Sequence, residues 1–143
     1  MLQRKGEAIL PEIIQGVTNV GYTILVVEDF SDARELMKIV LEAEGYRVLA
    51  AGNGIDGVET AQRERPDAIL MDMSLPLMDG CQATKQIRQS PSLRNIPIIA
   101  CTAYNQWQWR SKAILAGCTD FLTKPLESGA LLAMLSRYLP NNF

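Results

Sequence analysis

From Tyr22 onward the chain alternates five times between a short apolar run and an amphipathic stretch of helical period. Thr23-Ile24-Leu25-Val26-Val27 is β-branched and apolar, the pattern of a strand buried on both faces, and it stops at Glu28-Asp29. Ser31 is placed to cap a helix running to about Glu44, with Leu36, Val40 and Ala43 along one face and Gly45 as its stop. Tyr46 to Ala51 reads as a second strand. Asn53 then caps a short helix that carries Ile55, Val58 and Ala61 and closes before Pro66. Asp67 to Asp72 is a third strand, followed by a proline-containing loop from Ser74 to Met78 and a helix opened by Asp79 that runs to about Gln89. Ser90 to Asn95 is a turn. Ile96 to Cys101 is a fourth strand, with Pro97 near its start, where the ladder tolerates it. Asn105 to Ala116 reads as a helix ended by Gly117, Thr119 to Thr123 as a fifth strand, and Glu127 to Tyr138 as a last helix. That helix has Leu131, Leu132, Leu135, Tyr138 and Leu139 at helical spacing.

Strands and helices joined in this alternation by short loops imply an α/β domain, a parallel sheet covered by helices on both faces. The expected organisation is an N-terminal extension over residues 1–21, one domain over 22–140 and a short tail at 141–143. In the extension, Ile9, Leu10, Ile13 and Ile14 are spaced for a short amphipathic helix, against the simpler expectation of a frayed end.

Composition then removes several chemistries. The chain has no histidine, which excludes histidine acid–base catalysis, the commonest zinc sites and self-phosphorylation on histidine. A net charge of −2 provides no global basic field for nucleic acid. No apolar run approaches the about 18–20 residues of a membrane span, and the N-terminus lacks the apolar centre of a signal peptide. Cys81, Cys101 and Cys118 have no CxxC spacing and read as free thiols of a cytoplasmic protein, with Cys101 in the core.

Ligands of such sheets bind outside the carboxyl ends of the strands. The first strand ends in Glu28 and Asp29, the third in Asp72, the fourth in Thr102, and the fifth runs into Lys124-Pro125. Three carboxylates, a hydroxyl and an ammonium therefore converge on one edge, and strands one and three are neighbours in the usual order of five-stranded sheets of this type. Clustered carboxylates repel and need a cation or a proton to coexist. Without histidine or a cysteine cluster, the fitting cation is a hard, oxygen-ligated one such as Mg²⁺. A carboxylate beside such an ion can attack phosphorus, and phosphoryl transfer needs mainly positioning and charge neutralisation.

In these motifs the chain strongly resembles the receiver domain of two-component response regulators. The resemblance covers about Tyr22 to Leu139 and is carried by ILVVED with its acidic pair, DAILMDMSLPLMDG, PIIACTA and AGCTDFLTKP, in that order. It implies a flavodoxin-like fold with strand order 2-1-3-4-5. It also implies Asp72 as phosphoacceptor and Mg²⁺ or Mn²⁺ held by Asp29, by Glu28 (often through water), by Asp72 and by the backbone carbonyl of Ser74. Thr102 would bind the phosphoryl group and switch with Phe121, and Lys124 would pair with the phosphoryl oxygens across a cis Lys124-Pro125 bond. Pro76 and Gly80 would shape the loop and the helix start without taking part in chemistry. Tyr104 is bulky and borders the site, where it would tune access of water. Trp107-Gln108-Trp109-Arg110 is unusual for the family, with one indole expected to pack in the core while the other faces out.

The expected function is a phosphorylation switch that takes its phosphoryl group from a histidine kinase or histidine phosphotransfer protein. It is not an enzyme in the usual sense, but assists its own phosphorylation and dephosphorylation. Its altered face would be the fourth helix, fifth strand and fifth helix, a candidate homodimer surface. The chain leaves no room for an output domain, so a downstream protein target or onward transfer would carry the signal. Two alternatives compete. A phosphorylation-independent binding module is opposed by the intact Asp72, Thr102 and Lys124. A phosphohydrolase of the haloacid-dehalogenase type would want an acid two residues after the nucleophile, where Ser74 stands.

Overall fold

The structure, a computed structural model, describes residues 21–103 and 108–140. Its strands are β1 (Thr23–Val27), β2 (Arg47–Ala51), β3 (Ala68–Asp72), β4 (Ile98–Ala103) and β5 (Asp120–Lys124). Its helices are α1 (Ser31–Ala43), α2 (Gly54–Glu64), α3 (Gly80–Arg88), α4 (Gln108–Ala116) and α5 (Ser128–Tyr138). The strands form one parallel sheet in the order β2-β1-β3-β4-β5. The chain leaves β1 toward β2 and returns to β3 on β1's other side, so the crossovers diverge between β1 and β3, the crevice where such sheets take ligands.

The two-residue period of the strands sorts the core into two layers. Leu25, Val27, Ile69, Met71, Ile98 and Ala100 face one way, against Val58 and Ala61 of α2, Ala83 and Ile87 of α3, and Ala113 and Ala116 of α4. Ile24, Val26, Ala68, Leu70, Ile99 and Cys101 face the other, against Met37 and Leu41 of α1 and Leu131 and Leu135 of α5. The central strands are buried on both faces, as their unbroken apolar runs require. Cys81, Cys101 and Cys118 are free and buried.

Local signals set most boundaries. Gly45 takes φ +95° after α1, and the Gly45 and Tyr46 N–H groups donate to the Glu42 and Leu41 carbonyls, closing the helix in a Schellman motif. Asn53 accepts from the Asp56 N–H at 2.8 Å. Asp79 and Gln82 form a reciprocal capping box at the start of α3. At the amino end of the sheet, Arg88 binds the end of α3 to the starts of β4 and β5. It donates to the carbonyls of Gly117, Leu93, Arg94 and Ile96 at 2.7–3.1 Å and to Thr119 Oγ1 at 3.3 Å.

Four expectations need correction. Ser31 is the first helical residue rather than the cap; Phe30 holds the cap position without a side-chain bond. The buried face of α1 is Met37 and Leu41, with Val40 only half-buried and Leu36 and Ala43 exposed. Its run of apolar residues fills more than one face, so period alone does not select the one that packs. Ile55 on α2 is 46% exposed. Strand β4 starts at Ile98, two residues late, because Pro97 has no N–H to give the ladder, although its carbonyl accepts from the Ile69 N–H. The expected helix at Ile9–Ile14, Tyr104 and Trp107 lie outside the described residues. Trp109 is half-buried against the core, with Lys112 Nζ 5.3 Å from its ring centroid. The Lys124-Pro125 bond is cis.

Candidate functional site

The parallel ladder brings the strand ends to one level. Val27 pairs with Met71, Asp72 with Cys101, Thr102 with Thr123 and Ala103 with Lys124. Glu28 extends β1 by one bond, its N–H donating to the Ala51 carbonyl at 3.0 Å, and this turns its side chain inward. Glu28 and Asp72 are each 4% exposed, whereas Asp29 is open to solvent. One carboxylate oxygen from each of the three lies within 4.8 Å of the other two.

The two buried acids are held by backbone N–H groups and an ammonium. Asp72 Oδ1 accepts from the Ser74 N–H at 3.0 Å, and Oδ2 faces Lys124 Nζ at 3.2 Å. Glu28 Oε2 accepts from the Phe30 N–H at 3.1 Å, and Oε1 accepts from Lys124 Nζ at 3.0 Å. Lys124 therefore bridges the two buried acids. Burial alone would lower its pKa, but the Glu28 and Asp72 carboxylates outweigh it and hold the ammonium above its ordinary value. Among the described residues Lys124 pairs with two of the three acids, so the centre keeps an excess of negative charge, and its donors are hard oxygens. This is a set that fits Mg²⁺ or Mn²⁺.

Two loops frame the centre. In the β1–α1 loop, Arg34 Nη1 donates to the Glu28 carbonyl at 2.8 Å, and Phe30 is 62% exposed. In the β3–α3 loop, the Gly80 N–H donates to the Met73 carbonyl at 3.2 Å. A Cβ at Gly80 would collide with the Asp72 carbonyl oxygen and stand 2.8 Å from Met73 Cα, so only glycine lets α3 start this close to Asp72. At the tip of the same loop Leu77 takes φ +69°, and the Met78 N–H donates to the Pro76 carbonyl at 2.7 Å, a γ-turn centred on leucine. Left-handed backbone costs a residue with a Cβ about 1–2 kcal/mol.

Of the residues picked from sequence, Glu28, Asp29, Asp72, Ser74 and Lys124 come together. Thr102 is buried on β4, one position past the partner of Asp72. Phe121 sits deeper, opposite Ala100, packed on the core and covered by the Arg110 guanidinium at 4.3 Å from its ring centroid. Sequence reasoning missed Arg34 and the strained Leu77. The first shows only as a charge on a helix, and the second leaves no signal because leucine is not a residue that favours positive φ.

A family model described as the response regulator receiver domain matches residues 24–136. The protein PilH of Pseudomonas aeruginosa is 36% identical over 81% of this chain and 96% of its own length. The polar-differentiation response regulator DivK of Brucella anthropi is 32% identical over 82% and 95%. Among solved structures, the receiver domain of the P. aeruginosa sensor histidine kinase PA1611 superposes with a TM-score of 0.78 at 40% identity, covering 84% of this chain and 98% of that one. That receiver holds a magnesium ion in its active site cleft. The Vibrio cholerae chemotaxis protein CheY4 gives 0.79 at 29% identity, covering 82% and 98%.

Proposed function

The chain belongs to the response regulator receiver family, and from that premise we propose that Asp72 is its phosphoacceptor. As a member it is a phosphorylation-dependent switch of two-component signalling. The observation that carries the assignment is the setting of Asp72. It ends the central strand β3, is nearly enclosed, and is held between the Ser74 N–H and the Lys124 ammonium with two further carboxylates alongside.

In the reading proposed, a carboxylate oxygen of Asp72 attacks the phosphorus of a phosphohistidine on a kinase or phosphotransfer protein. The P–O bond forms as the P–N bond breaks, and the imidazole leaves with the electron pair and takes up a proton. Ser74's N–H fixes the carboxylate against rotation, which leaves the nucleophile pre-aimed. Lys124 is already within reach and exchanges its contact with Asp72 for the incoming phosphoryl oxygens, neutralising the charge that develops there. Asp29 and Asp72 would hold Mg²⁺ directly, with the Ser74 carbonyl, and Glu28 would act through water. A bound divalent ion supplies charge neutralisation on the phosphoryl oxygens. Hydrolysis by water attack on phosphorus returns the carboxylate and resets the switch.

Thr102 lies on the strand next to Asp72, where its hydroxyl can turn toward a phosphoryl oxygen; the space it leaves is what Phe121 would fill. This change moves β5 relative to α4, so α4, β5 and α5 form the face that a downstream protein or a second copy would read. Among the described residues no helix is long and apolar enough to cross a membrane, and with the buried free thiols this supports a cytoplasmic location. Incubation with acetyl phosphate and Mg²⁺ tests the reading. The parent should gain an alkali-labile phosphoryl group, chelator should suppress it, and Asp72→Asn should abolish it. Equal labelling of Asp72→Asn would refute the assignment.

A further inference from the structure

Leu77 combines two features that a mere turn does not need. It is 88% exposed, among the most exposed large apolar side chains of the described residues, and its backbone sits at φ +69° within a γ-turn. Glycine or asparagine would take that conformation more readily, and a polar residue would hydrate better. A leucine held there gives up stability and solubility together. Strain retained at a surface position next to a reactive centre is a recurrent mark of function.

Its place fits that reading. The loop's two ends are tied by the Gly80–Met73 hydrogen bond, and Leu77 is three residues from Gly80, so its Cα is no more than about 11 Å from Gly80. Gly80 itself packs on the Asp72 carbonyl. On the neighbouring strand's loop, Phe30 is 62% exposed beside Glu28 and Asp29. The two loops that leave the adjacent strands β1 and β3 at the acidic centre thus each carry an exposed apolar side chain. Asp72 is almost enclosed, so a macromolecule that delivers a phosphoryl group to it has to cover these loops, while a small donor does not.

We infer that Leu77, with Phe30, is an apolar anchor for the protein that donates the phosphoryl group, and that it sets which donor is accepted. The partner's contact surface is then an apolar patch beside its phosphohistidine. The inference rests on the Asp72 reading above. Apolar side chains contribute most when they enter a pocket of the partner, and here the γ-turn presents the leucine outward before any partner arrives.

The test compares two donors on the full chain: acetyl phosphate, and whichever purified phosphohistidine protein from a panel labels the parent fastest. Leu77→Asn removes the apolar side chain and relaxes the turn, and Leu77→Met keeps an apolar one. Leu77→Asn should raise the melting temperature, leave the acetyl phosphate rate within two-fold, and slow transfer from the protein donor by about ten-fold, roughly the loss of one good apolar contact. Leu77→Met should retain most of the protein-donor rate. Equal protein-donor rates in parent and Leu77→Asn would overturn the inference while leaving the Asp72 reading standing. A parallel fall with both donors would overturn it as well, because the defect would then lie in the chemistry. A parent labelled by neither donor would count against Asp72 as acceptor, and the anchor would fall with it.

Discussion

Replacing Gly80 with alanine probes the contact on which the position of Asp72 depends. The added Cβ would overlap the Asp72 carbonyl oxygen, lie 2.5 Å from Met73 Cε and 2.8 Å from Met73 Cα. The methionine tip can swing away, but the other two are backbone atoms at the end of a strand paired on both sides. Either α3 backs off, losing the Gly80–Met73 bond and part of the packing of Ala83 and Ile87, or the strand end shifts and carries Asp72 with it. Overpacking a core costs about 1–3 kcal/mol, and a clash against main chain belongs at the upper end. About 3 kcal/mol corresponds to a fall of about 10 °C in melting temperature for a domain of this size. Displacement of the carboxylate by a fraction of an ångström should slow phosphorylation by acetyl phosphate about ten-fold. Calorimetry and a phosphorylation time course measure the two effects. Gly129→Ala is the internal control, since its Cβ would meet only Glu127 Oε1, at 3.9 Å, and helix propensity should stabilise it by about 0.5 kcal/mol. A Gly80→Ala protein that melts within about 1 °C of the parent, against the expected fall of about 10 °C, would refute the close packing of Gly80 on Asp72.

Three further outcomes are expected. Arg88→Met should cost about 3 kcal/mol in urea unfolding, because several backbone carbonyls lose a charged donor at once, yet leave acetyl phosphate labelling intact at the far end of the sheet; a loss under about 1 kcal/mol would show that water replaces it. Lys124 has a raised pKa in the fold, so the stability it contributes is complete below its unfolded value of 10.5 and is lost as pH rises through the higher folded value. The stability gap between parent and Lys124→Met should therefore persist from about pH 8 to about pH 10 and shrink above about pH 10.5; a gap that shrinks between about pH 8 and about pH 9 would contradict the bridging geometry. The thiols of Cys101 and Cys118 are pushed by burial up to about 12 and about 11, and that of Cys81 is raised as well. None should react with a thiol reagent at pH 8 until the protein unfolds, and prompt labelling of one in the native state would show that the core opens locally.

Much of this was legible because the signals were redundant. The apolar runs of β1, β3 and β4 could be buried only on both faces, and Gly45, Asn53 and Asp79 punctuated the helices where the structure ends or begins them. The acidic cluster followed from asking which residues end each strand, since a parallel ladder leaves them little freedom in height. What was not legible depends on a third dimension. Leu36, Met37, Ile39, Val40 and Leu41 offer α1 several apolar faces, and only the position of α5 and the sheet decides that Met37 and Leu41 turn inward. Ser31 carries a capping side chain but sits one residue too late, because Glu28 already takes the Phe30 N–H and Phe30's carbonyl receives the first helical bond from Arg34. That Glu28 is enclosed while Asp29 is open, and that Lys124 bridges Glu28 to Asp72, are consequences of strand alternation and of the β4–β5 register that no single motif states. Arg88 resembled any charge near a helix C-terminus until the carbonyls around it were in place.

The central claim is that one carboxylate, at position 72, receives the phosphoryl group. Borohydride reduction of the phosphorylated protein converts an aspartyl phosphate to homoserine, and peptide mapping by mass spectrometry then reads its position directly. Homoserine is expected at position 72 and nowhere else in the chain, dependent on a divalent cation and absent when the donor is omitted. Homoserine at position 29, or a phosphoryl group that resists reduction because it sits on a hydroxyl such as that of Thr102, would contradict it.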